Sequence, residues 1–88
     1  PKYTESRNNY ARTLIEVGKY EEARRELSTI IKDLTYTNQA LALSHMGLAY
    51  FRQGQYQTAI PFLQQSIRLN KGQCLTYNLY ARSLYELN

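Results

Sequence analysis

Apolar side chains recur along the chain every three or four residues, and no stretch alternates apolar with polar at period two, so the pattern is helical throughout. It predicts five helices, at Thr4–Val17, Glu21–Lys32, Gln39–Gln53, Tyr56–Leu69 and Gln73–Leu87, and an all-α fold. Gly18 and Gly54 fall just after the first and third helices, where glycine reaches the left-handed conformation that ends a helix at little cost. Asn70-Lys71-Gly72 is expected to end the fourth helix in the same way. Each of these glycines is followed within three residues by another helix, so neighbouring helices fold back on each other as antiparallel hairpins. Tyr20 and Tyr56 follow the turns and are expected to pack on the preceding helix, with Ala23 and Ala59 allowing close approach one turn on. Pro61 removes a backbone donor in the second turn of the fourth helix and predicts a local bend.

The pattern also repeats. "GKYEEA" at Gly18–Ala23 returns 36 residues later as "GQYQTA" at Gly54–Ala59. The third helix and its hairpin read Leu43-x2-Met46-Gly47-x2-Tyr50, then Ala59-x3-Leu63. Earlier the chain has Arg7-x2-Tyr10-Ala11-x2-Leu14 and Ala23-x3-Leu27, and later Tyr77-x2-Tyr80-Ala81-x2-Leu84. Three copies in phase resemble the tetratricopeptide repeat, with Leu43 in the place of its tryptophan, Leu63 in that of its phenylalanine and Lys71 where proline is common. The resemblance implies a solenoid of helix hairpins: repeat 1 over about 4–37, repeat 2 over about 40–73 and the first helix of repeat 3 over about 74–88. About two and a half repeats suggest part of a longer array, because each repeat buries its apolar face on its neighbours. The last helix should then expose an apolar edge open to self-association. Gly47 and Ala81 are 34 residues apart, so the two additional residues of the 36-residue interval lie within "KDLTYTNQA" at Lys32–Ala40, in a longer second helix or a longer loop.

One branch of the family combines these details. "NNYARTLIEVGKYEEA" followed by "DLTYTNQALALSHMGLAYFRQGQY" is similar to the outer-membrane pilotins of type IV pili. Ala11 stands in place of their glycine, Thr37 of their proline, and His45 of an asparagine-like residue. Such proteins are lipidated and help a secretin ring assemble, so the resemblance implies a secretin subunit as partner and a place on the periplasmic side of the outer membrane. Any targeting segment is expected to lie before Pro1.

Charge and composition narrow the chemistry. The net charge of +4 raises nucleic acid as a partner, but the eleven basic residues are dispersed and the longest run is Arg24-Arg25. That pair lies in "EEARRE", where Glu21 and Glu22 have helical spacing to Arg25, the pattern of a solvated face. Nucleic-acid binding is not expected, and most of the nine tyrosines read as packing residues, with Tyr10, Tyr50 and Tyr80 at repeat-signature positions. No run approaches the length of a membrane span. One cysteine, Cys74, and one histidine, His45, exclude an internal disulfide and a zinc site within the chain. No serine–histidine–acid set and no glycine-rich phosphate loop occurs, so the reading is non-enzymatic, with no catalytic residue, metal or cofactor.

Function is therefore sought in recognition. The tetratricopeptide resemblance implies a concave groove lined by the first helix of each hairpin. Residues on the face away from the repeat signature are Asn8, Arg12, Ile15 and Glu16 in repeat 1, and Leu41, Ser44, Leu48, Phe51 and Arg52 in repeat 2. The third repeat contributes Leu75, Asn78, Arg82, Tyr85 and Glu86. Nine of these are the candidate partner-binding set: Asn8, Arg12, Ser44, Leu48, Phe51, Arg52, Asn78, Arg82 and Tyr85. On this reading Asn8/Arg12 and Asn78/Arg82 bracket an exposed apolar centre at Leu48 and Phe51, able to hold a peptide or protein anchor. The alternative is a general scaffold that self-associates, its polar groove residues merely solvated. Leu75 and Leu79 occupy the places where chaperone-binding members carry basic residues, so no carboxylate clamp is expected.

Overall fold

Five α-helices follow one another in the computed structural model, which describes residues 2–33, 35–36 and 38–87: α1 (Lys2–Glu16), α2 (Tyr20–Lys32), α3 (Gln39–Arg52), α4 (Tyr56–Leu69) and α5 (Cys74–Glu86). Every predicted boundary is met to within two residues, and the described residues contain no strand. Thr37, which stands in place of the pilotins' proline, lies outside the described residues.

The hydrophobic stripes explain the stacking. In α2 the buried positions are Ala23, Leu27 and Ile30, and in α4 they are Ala59, Leu63 and Ser66, at the same offsets. Each stripe is one helical face, so each helix covers one side of the core. α3 differs: Ala40 and every residue from Ala42 to Ala49 are buried, because α3 packs against all four other helices. α1 and α5 flank it in one layer, while α2 and α4 lie across them, and the whole measures 39 × 27 × 18 Å. The shortest dimension suits two helix layers.

Two turns share one construction. At Gly18 (φ +87°) the Lys19 N–H donates to the Leu14 carbonyl at 2.8 Å, and the Gly18 N–H to Ile15 at 3.1 Å. At Gly54 (φ +78°) the Gln55 N–H donates to Tyr50 at 2.9 Å and the Gly54 N–H to Phe51 at 3.0 Å. Both are Schellman closures, in which a left-handed residue turns the chain so that otherwise orphaned carbonyls are bonded. Gly54→Ala leaves open space around the new methyl group but forces alanine into that conformation, so a loss of about 1 kcal/mol is expected in urea melts. The third turn is closed otherwise, which corrects the expectation for Gly72. Asn70 caps α4 in extended backbone, φ −147°, and its side-chain oxygen accepts from the Gly72 N–H at 3.0 Å. The asparagine side chain supplies the turn bond, and Gly72 is not left-handed.

Other expectations are met or corrected by packing. Tyr56 meets Phe51 of α3 edge-on, with ring centroids 5.3 Å apart. Pro61 sits inside α4 on its exposed side, and the helix is continuous from Tyr56 to Leu69. Tyr10, read as a packing residue, is 52% exposed, since α1 has a neighbouring first-layer helix on one side only. Glu21 and Arg25 are exposed, the solvated face that their spacing predicts. Arg24 lies 4.8 Å above the Tyr50 ring and donates to the Gln53 side-chain carbonyl, tying α2 to α3. The Tyr50 ring in turn stacks on Phe62 of α4 at 5.6 Å.

The extra two residues between the first two copies lie in the connection rather than in a helix. Six residues, 33–38, join α2 to α3, whereas four, 70–73, join α4 to α5. The connection begins with a local turn in which the Asp33 carboxylate accepts from the Thr35 hydroxyl at 2.6 Å and its N–H at 3.0 Å. These bonds hold the Asp33 carboxyl below its ordinary range. It ends at Asn38, whose side chain accepts from the Leu41 N–H at 3.3 Å and so caps α3. Between them, Tyr36 is carried inward and is 3% exposed.

Candidate functional site

α1, α3 and α5 enclose a cleft of about 260 Å³ between their inner faces. Leu41, Ser44, His45 and Leu48 come from α3 and lie at i, i+3, i+4 and i+7, so they form one helical stripe along its floor. Arg12 projects from α1, while Cys74, Leu75, Thr76 and Leu79 face it from α5. The α5 wall is anchored at its start by Gln73, whose side-chain oxygen accepts from Thr76 at 2.6 Å and lies 3.0 Å from the buried Ser66 hydroxyl. Ser66 itself reaches the Ala40 carbonyl at 2.6 Å, so the mouth of the cleft is tied to both α3 and α4.

The candidate residues divide. Arg12, Ser44 and Leu48 line the cleft, together with Leu41 and Leu75 of the wider set. Ser44 uses its hydroxyl locally, donating to the Leu41 carbonyl at 2.8 Å. Leu48 is only 8% exposed and forms floor, which corrects the expectation of an exposed Leu48–Phe51 centre. Phe51 is half-buried, covered by Tyr56 and by the Arg82 guanidinium 5.2 Å above its ring. That cation–π contact fixes the second half of α5 against α3. Arg52 pairs with Glu16 at 3.3 Å, an exposed bridge between α3 and α1 worth little by itself. Asn78 and Tyr85 are exposed on α5 and do not line the cleft.

Two candidates belong to the interior. Ile15 and Asn8 are fully buried, so the expectation that they face a groove is corrected. For Ile15 the reason is burial of a large apolar side chain in the core shared by α1 and α2. Asn8 is held by two buried hydrogen bonds. Its amide nitrogen donates to the Tyr36 hydroxyl at 3.0 Å, and its carbonyl accepts from His45 Nδ1 at 2.7 Å. A buried asparagine needs such partners, and this one finds them 28 and 37 residues away in sequence.

His45 lies in the cleft floor with Arg12 in the same lining. Burial, reinforced by the Arg12 charge, lowers its pKa to about 4, so the ring is neutral near pH 7. The stripe Leu41–Ser44–His45–Leu48 was a signal that could have placed it; its bond to Asn8 was not, since nothing local couples residues 37 apart. Among the described residues no three His, Cys, Asp or Glu side chains gather as a metal site, and no helix is long and apolar enough to cross a membrane. Among the described residues no carboxylate lines the cleft.

No curated relative matches the sequence. A family model described as tetratricopeptide repeat matches residues 3–72, which span the first two hairpins and the turn into α5. The paired helices, the recurring turn and this match together identify the chain as a member of the tetratricopeptide repeat family.

Proposed function

We propose that the α1–α3–α5 cleft binds a peptide or protein segment, with an apolar anchor seated against Leu48 and Leu79 and acceptor groups turned toward Arg12. The observation that carries this reading is the cleft's make-up among the described residues: leucines along the floor and α5 wall, a guanidinium at one side and no carboxylate. Tetratricopeptide repeats generally mediate protein–protein contact and are typically non-enzymatic. An apolar pocket with a few polar groups is where binding energy concentrates in such contacts.

The partner suggested by sequence resemblance is a type IV pilus secretin subunit, met on the periplasmic side of the outer membrane. Titrating a purified secretin subunit into this chain tests that identity. Leu75→Asp alters a wall residue already 60% exposed, so the fold should tolerate it. It is expected to weaken partner binding roughly tenfold, about 1.4 kcal/mol. Unchanged affinity for a folded variant would remove the cleft from the interface.

A second reading, self-association, rests on α5. Tyr77, Leu84, Tyr85 and Leu87 are each more than 40% exposed. Ala81, which aligns with buried Gly47 and Ala11, is also exposed. Sedimentation equilibrium distinguishes the readings: a dimer that Leu84→Glu dissociates supports self-association, and a monomer at high micromolar concentration excludes it.

A further inference from the structure

The buried chain Tyr36–Asn8–His45 has a consequence for what the cleft accepts. The Asn8 carbonyl oxygen is only an acceptor, so the 2.7 Å contact places the ring proton on His45 Nδ1. In a neutral imidazole the other nitrogen, Nε2, then carries a bare lone pair. No protein group bonds Nε2 among the described residues, and no buried side-chain polar atom is sealed without a partner. Nε2 therefore keeps contact with solvent, and the ring lines the cleft. Among the described residues, the other charged or titratable side chains in the cleft lining are Arg12 from α1 and Cys74 from the start of α5.

An acceptor and a strong donor thus stand side by side over an apolar floor. A carboxylate or phosphate would suit Arg12 but would meet the Nε2 lone pair. A wholly apolar ligand would strip water from both groups and return nothing, a loss for each unsatisfied polar group. An extended peptide satisfies both, because one residue in β conformation presents its N–H and C=O to the same side.

We propose that His45 Nε2 and the Arg12 guanidinium read the main chain of an extended peptide, Nε2 accepting from a backbone N–H and Arg12 donating to a backbone carbonyl next to the apolar anchor. Asn8 is the positioning residue: it holds the tautomer, and Tyr36, delivered by the lengthened α2–α3 connection, orients Asn8. The proposal rests on the cleft being a peptide site and adds how the backbone is recognised there.

The test uses a displayed library of 12-residue peptides selected on the intact chain. A selected peptide is resynthesised with single backbone esters, each replacing one N–H by oxygen. One ester beside the apolar anchor is expected to weaken binding about five- to tenfold, as loss of one hydrogen bond should. Long-range proton–nitrogen spectra should show Nε2 of His45 unprotonated in the free chain and shifted when peptide binds. If Leu75→Asp weakens the peptide but every ester binds normally, the main-chain contact is overturned while the cleft reading stands. A protonated Nε2 in the free chain at pH 7 overturns it as well. If no peptide is selected, or Leu75→Asp leaves its affinity unchanged, both the cleft reading and the proposal fall.

Discussion

Gly47→Ala is expected to destabilise the fold by about 1–3 kcal/mol, the usual range for overpacking a core. Helix propensity alone gives the opposite sign, since alanine is favoured over glycine by about 1 kcal/mol in a helix interior. Packing decides. A methyl group at Gly47 would lie 2.5 Å from Leu63 Cδ2 and 2.7 Å from its Cγ, with the Ala59 carbonyl at 3.5 Å. Leu63 is fully buried, so it cannot swing out into solvent without giving up its place in the core. The clash is with the branch point of the leucine as well as its tip, so a small rotamer shift does not relieve it.

A double-mutant cycle in urea isolates this contact. Leu63→Ala alone should cost about 2–5 kcal/mol through the cavity it leaves. In the pair Gly47→Ala/Leu63→Ala the new methyl occupies part of that cavity, so the combined loss should be smaller than the sum. Simple additivity would show that the two side chains do not compete for one space. Ala81→Gly, at the aligned but exposed position of α5, should show only the propensity loss of about 1 kcal/mol.

Acid is expected to weaken the fold through His45. Its folded pKa is lowered from 6.5 to about 4, first by burial and second by Arg12. The unfolded chain therefore binds a proton over a range in which the folded chain does not. Stability from this group is fully present above about pH 6.5, falls as pH drops, and is lost by about pH 4. The difference corresponds to a loss on the order of 3 kcal/mol, large for a domain of this size. Urea midpoints measured from pH 7 to pH 4 report it, and His45→Gln should flatten the slope between 6.5 and 4. An equal slope in both proteins would mean that other groups carry the acid dependence. Asp33 is at the surface, and its lowered pKa places its own contribution below this window, lost under about 3.8.

Much of the architecture is legible residue by residue. The helical period needs only neighbours within a few positions, and so do the Schellman glycines at 18 and 54. Pairing of adjacent helices follows from three-residue turns that leave no other way to bury two apolar faces. Gly72 was misleading because its turn is closed by the Asn70 side chain, a choice that the glycine itself does not disclose. Leu14 and Leu84 occupy the same place in their repeats, yet one is buried and the other is 42% exposed. Position in the stack, rather than residue type, separates them.

The candidate cleft was legible in part for the same reason. Arg12, Ser44 and Leu48 follow from the face of each first helix, which is a local property. Asn8 lies one turn from Arg12, yet it is drawn inward by groups 28 and 37 residues away. A polar side chain leaves water only where distant partners replace its hydration, and no local pattern announces those partners.

Sequence alone thus determined the helices, their hairpin pairing and the two-residue departure from the regular period, all set by interactions within a turn or between adjacent elements. Only the tertiary structure decided that the departure brings Tyr36 beneath Asn8, and that His45 meets the cleft with one nitrogen committed and the other open. Burial energies depend on what the whole stack excludes from water, and that sum is made only when the helices are together.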